Sequence, residues 1–143
     1  MREGVRCRGG AEKGVRKVSQ ILVMTRSEPV GLDPERLRQL YAQLGEAGAD
    51  NVVCRAMEEL ALRFSHADRM LREGRREELR KAVRSLAAIA DQVGMTLLSR
   101  VAGDVGACLG GGDDVALAAT FARLLRVGES SLMAIWELQD ITL

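Results

Sequence analysis

The amino-acid sequence predicts an all-α fold, an up-and-down four-helix bundle preceded by a short N-terminal helix. Three observations carry this. Ala, Leu and Val supply most of the apolar surface of a chain that is 47% hydrophobic and only 3% aromatic, a mix that suits packed helices better than sheets. Beyond Pro34 the apolar residues recur at steps of three and four, the spacing of one helix face. Both prolines, Pro29 and Pro34, come before that region, so no proline interrupts it. At 143 residues the chain is long enough for one domain with a real core.

Residues 1–31 read as a basic tail. Arg2, Arg6, Arg8, Lys13, Arg16, Lys17 and Arg26 face only Glu3 and Glu12 over its first 27 residues, with several glycines and no sustained period. No aromatics interleave the arginines, so the tail reads as a solvated extension rather than a nucleic-acid arm. Met24 is a candidate natural start, since the regular pattern begins soon after it. Residues 32–143 are expected to form the bundle.

The short helix starts at Asp33-Pro34, a capping carboxylate before a proline at the first helical position. Leu37, Leu40, Tyr41 and Leu44 give its apolar side, and Gly45 and Gly48 are expected to break it. A long helix is expected from about Asp50 to Arg72, with Val53, Met57, Leu60, Phe64, Ala67 and Leu71 stepping by four and three as a bundle seam. Gly74 ends it. The next helix places Leu79, Val83, Leu86, Ala90 and Val93 inward and closes at Gly94. Thr96 to Leu109 follows, with Leu97, Leu98, Val101, Val105 and Cys108. Asp113 or Asp114 then caps a last helix through Leu117, Phe121, Leu124, Leu125, Leu132 and Ile135, reaching about Leu138. Short connections favour antiparallel neighbours.

Composition and motifs exclude several functions. A net charge of +1 does not suit strong nonspecific nucleic-acid binding. The apolar run Ile21 to Met24 is too short for a bilayer span or a signal-peptide core, so no membrane partner and a cytoplasmic location are expected. Cys7, Cys54 and Cys108 form no C-x-x-C pair and read as thiols in a reducing compartment. His66 is the single histidine, which rules out a two-histidine metal site within one chain; no metal and no cofactor are expected. The Gly110–Gly112 run lacks the P-loop lysine and a preceding strand. Glu58-Glu59 and Glu77-Glu78 lie among other charged positions and read as solvated faces. Cys54 and Cys108 read as small core residues, and Trp136 as a core or partner contact. No nucleophile, base and orienter can be named together, so the chain is not read as an enzyme.

The helix from Leu79 to Gly94 carries the most information. It reads LRKAVRSLAAIADQVG, preceded by REGRREEL, and is followed by Leu98, Ala102 and Val105 at apolar spacing. Over about residues 32–138 this pattern resembles the histidine-containing phosphotransfer (HPt) domains of bacterial phosphorelays, whose third helix typically reads A-H-T-L-K-G-S-A-x-x-L-G. Leu86 and Gly94 fall on that family's leucine and closing glycine. Arg84 stands where the phosphorylated histidine would, Ala87 where a lysine assists the phosphoryl group, and Ala88 where a glycine lets a receiver domain approach.

The resemblance implies a degenerate signalling module of a two-component system. Arginine stays protonated and offers no lone pair to an aspartyl phosphate. Arg76, Arg80 and Arg84, spaced by four, form one basic row beside Ala87 and Ala88. Such a row suits the acidic pocket of a response-regulator receiver, or a histidine-kinase domain, without reacting. Two other readings stay open. His66, expected to be largely exposed because it lies about two hundred degrees round the helix from Phe64, is a candidate phospho-acceptor in a phosphocarrier. Alternatively the bundle is purely structural, or dimerises through an exposed apolar stripe.

Overall fold

A computed structural model of the protein describes residues 31–141, with side chains as far as Glu137. Of the predicted tail only Gly31 falls among them; the remaining tail, and the Met24 start, lie outside the described residues. Four helices follow: α1 (Pro34–Arg72), α2 (Arg76–Gln92), α3 (Thr96–Gly111) and α4 (Asp114–Ile141). The fold is an all-α helical bundle, and among the described residues the sole β feature is an isolated bridge between Leu32 and Met95.

Helix α1 begins as its sequence dictates. The Asp33 carboxylate accepts from the backbone N–H groups of Glu35 at 3.0 Å and Arg36 at 3.3 Å, satisfying two donors of the first turn. Gly45 then leaves helical geometry, at φ 76° and ψ 172°, and bends α1 into a short arm and a long limb. Only glycine takes that conformation without strain. The expected second break at Gly48 does not occur. The limb resumes directly after Gly45, because Gly48 has ordinary helical geometry and serves a close approach: a Cβ there would lie 3.1 Å from Leu44 Cβ. Leu44, expected on the apolar side, is 47% exposed beside the bend.

Consecutive helices pack side by side, α1 on α2, α2 on α3 and α3 on α4. The circle closes where the Phe64 ring of α1 lies over Gly128 of α4, so close that a Cβ at Gly128 would come within 2.2 Å of Cζ. Leu60, Leu79, Leu86, Leu98, Val101, Phe121 and Leu124 fill the centre and are all but sealed from solvent. Most of the seams of three and four are the buried seams, with Tyr41, Phe64, Leu71, Leu97, Cys108 and Leu132 half-buried at their margins. Leu125, expected among them, is instead exposed, because it directly follows the inward-facing Leu124 and so lies a quarter-turn round the helix. Cys54 is buried in α1, as expected of a small core residue.

The base of the bundle is clasped by main-chain bonds. Asp33 N–H donates to the Gly94 carbonyl at 2.7 Å, and Thr96 N–H donates to the Gly31 carbonyl at 2.9 Å. Thr96 Oγ1 donates to the same Gly31 oxygen at 2.7 Å. Gly94 turns the chain with φ 79°, and its missing Cβ leaves room for the Asp33 carbonyl, which would otherwise lie 3.0 Å from it. At the opposite end Asp113 is the cap of α4, accepting from Val115 N–H and Ala116 N–H at 3.0 Å each. Of the two candidate caps, Asp114 is already the first residue of the helix.

Candidate functional site

Helix α2 presents the residues singled out by its sequence. Leu79, Ala82, Val83, Leu86 and Ala90 are buried along one side. That fixes the opposite side, where Glu77, Lys81, Arg84, Ala88 and Asp91 are exposed. Ala87 is half-buried and packs against the core, while Ala88 stands in solvent.

The three arginines of the row have separate fates. Arg76 is drawn to the end of the bundle: its Nη2 donates to the Leu109 carbonyl at 3.1 Å and its Nη1 to Asp114 Oδ1 at 3.3 Å. Leu109 lies in the last turn of α3, where carbonyls lack helical partners and the helix dipole is negative. Arg76 therefore braces α2 against the α3–α4 turn. Arg80 is one-third exposed and pairs along its own helix with Glu77, Nε to Oε2 at 3.6 Å. Arg84 is exposed midway along α2 and makes no hydrogen bond or ion pair among the described residues.

Lys81, three residues before Arg84, is equally exposed and without an ion pair among the described residues. Steps of four from Arg76 pass over Lys81, whereas the step of three that joins it to Arg84 marks a shared face equally well. The free cationic surface is thus centred on Lys81 and Arg84, with Arg80 at its margin and Arg76 outside it. At the start of α2, Glu78 is held below the usual carboxylate range by its own backbone N–H in the first turn, and then by Arg75, whose Nη2 donates to Oε2 at 3.2 Å.

His66 lies on the long limb of α1 and is half-buried rather than largely exposed. The Arg69 side chain one turn on covers part of it, with Nη2 3.5 Å from Nδ1. No cluster of three or more His, Cys, Asp or Glu suited to a metal ion occurs among the described residues. No helix among them is long and apolar enough to cross a membrane.

The most perturbed titratable group is elsewhere. Tyr41, on the arm of α1, donates its hydroxyl to Asp50 Oδ1 on the limb at 2.7 Å. Burial, and then the Asp50 carboxylate, push the phenol well above its ordinary value. The pair spans the Gly45 bend and fixes its angle, which is a structural task. Compared with known protein families, with curated proteins and with solved structures, the chain matches none.

Proposed function

We propose that this chain is a docking module of a phosphorelay, HPt-like in its helical frame, that binds a receiver domain through the exposed face of α2 without carrying phosphate at Arg84. The observation that carries the reading is Arg84 itself. It is exposed midway along a bundle helix, free of ion pairs among the described residues, and flanked by the small side chains of Ala87 and Ala88. It occupies the frame position that the resemblance gives to a reactive histidine. A guanidinium there offers hydrogen-bond donors to a carboxylate pocket and no nucleophile. Lys81 and Arg80 add positive charge that favours encounter with an acidic partner.

Titration of the full chain against a panel of receiver domains tests this. Micromolar binding is expected, weakened about tenfold or more by Arg80→Glu with Arg84→Glu, a loss typical of removing charge pairs at an interface. Absence of micromolar binding to every receiver and kinase domain offered overturns the proposal, as does binding indifferent to the two substitutions. Incubation with a phosphorylated receiver is expected to leave no acid-labile label. A label that disappears in His66→Gln assigns the chain to the phosphocarriers instead.

A further inference from the structure

Helix α4 is apolar on two sides: one is buried in the core, and the other meets the core only toward its C-terminal end, through the half-buried Leu132 and Trp136. Leu117, Phe121, Leu124, Ser131 and Ile135 form the buried inner seam. A second seam runs outside it through Val115, Ala118, Ala122, Leu125, Glu129, Leu132 and Trp136, in strict steps of three and four. Val115 is 79% exposed and Leu125 37%, while Ala118 and Ala122 are open to solvent. Toward its C-terminal end the outer seam borders an apolar groove of about 330 Å³ between α4 and α1, walled by Met57, Ala61, Leu132, Met133 and Trp136. Glu58 of α1 also lines the groove. A seam of this period is the surface that a second helix packs against.

We infer that the outer seam of α4 pairs antiparallel with the same seam of a second copy of this chain, forming a two-fold dimer. The distribution of side-chain size selects this occupant. The N-terminal half of the seam has the small residues Ala118 and Ala122, and the C-terminal half has the large residues Leu132 and Trp136. A two-fold axis crossing the seam midway between Leu125 and Glu129 sets Ala118 against Trp136 of the second copy, Ala122 against its Leu132 and Leu125 against its Glu129. Small faces large at both ends, as an isologous interface requires. A parallel pairing would set tryptophan against tryptophan and leave the alanines facing one another. Charge agrees with the same register. Arg126 and Glu129 are exposed, three residues apart, and neither makes an ion pair among the described residues. The axis brings each beside its opposite in the second copy, forming two equivalent pairs across the interface.

Sedimentation equilibrium of the full chain provides the test. The wild type is expected to dimerise at micromolar concentration, and Leu125→Glu to be monomeric with an unchanged circular dichroism spectrum. Arg126→Glu and Glu129→Arg, both at solvent-exposed sites, are each expected to raise the dissociation constant about tenfold, and the double exchange to restore it. A monomer up to about 100 μM, two orders above the affinity that defines micromolar association, overturns the pairing and leaves the seam to a different partner's helix. A dimer insensitive to Leu125→Glu and to both charge changes overturns it as well. Single exchanges that weaken the dimer without restoration in the double exchange overturn the antiparallel register.

Discussion

Arg76, Arg80 and Arg84 share a charge, a helix and a spacing, yet each meets a different environment. What distinguishes them is distance along the bundle: Arg76 reaches a carbonyl 33 residues away in sequence, Arg80 finds only Glu77, and Arg84 finds nothing among the described residues. Tyr41 shows the same dependence on surroundings. Its phenol is neutral and donating in the folded chain, whereas an unfolded chain ionises it near pH 10. A pKa raised by folding contributes stability in full below the unfolded value and loses it as pH rises through and beyond that value. The chain is therefore expected to lose stability above about pH 10 in part through Tyr41. As Tyr41 is the single tyrosine, phenolate absorbance near 295 nm reads it directly: the folded chain is expected to show no ionisation around pH 10, and the unfolded chain to ionise fully. Ionisation of the folded chain at an ordinary value would refute the Tyr41–Asp50 bond.

Elements were more legible than their joints. Stripes at Val53, Met57, Leu60 and at Leu79, Val83, Leu86 are buried as their period requires, because a helix face that recurs every three or four residues has one place to go. The Asp33 and Asp113 caps follow from side-chain chemistry that acts within three residues. Gly48 was misread since glycine marks both breaks and close contacts, and only the position of Leu44 decides between them. The candidate face was half legible: spacing showed which residues lie together on α2, but not that Arg76 would be taken up by the turn between α3 and α4. That brace yields a prediction for the element. Arg76→Ala is expected to destabilise the fold by about 1–2 kcal/mol, mainly through the lost charge-assisted bond to the Leu109 carbonyl. The exposed pair with Asp114 adds little. Arg84→Ala is expected to change stability by less than about 0.5 kcal/mol, as surface substitutions do. Urea denaturation of the two variants separates bracing from docking. Equal losses would show that Arg84 too is structural.

At the scale of the whole molecule, the order of packing puts α2 and α4 on opposite corners, since each touches α1 and α3. A dimer joined through α4 would thus hold two α2 faces outward, and, if α2 is the proposed docking face, a partner with two linked domains would gain strength from the intramolecular second contact. The clasp at the base of the bundle has a consequence of another kind. The bond from Thr96 to the Gly31 carbonyl closes 65 residues of chain, whereas the antiparallel helix pairs above it close only short turns. Loop closure on that scale is an entropic cost best met after α1, α2 and α3 have already come together. The clasp is then a late event in folding, absent from the rate-limiting ensemble, and acts as a latch on the way out. Gly94→Ala, which strains the φ 79° turn at its centre, is expected to cost about 1–2 kcal/mol. In a chevron this should appear as faster unfolding with the folding limb unmoved; a slowed folding limb would mean that the two ends of the loop meet first.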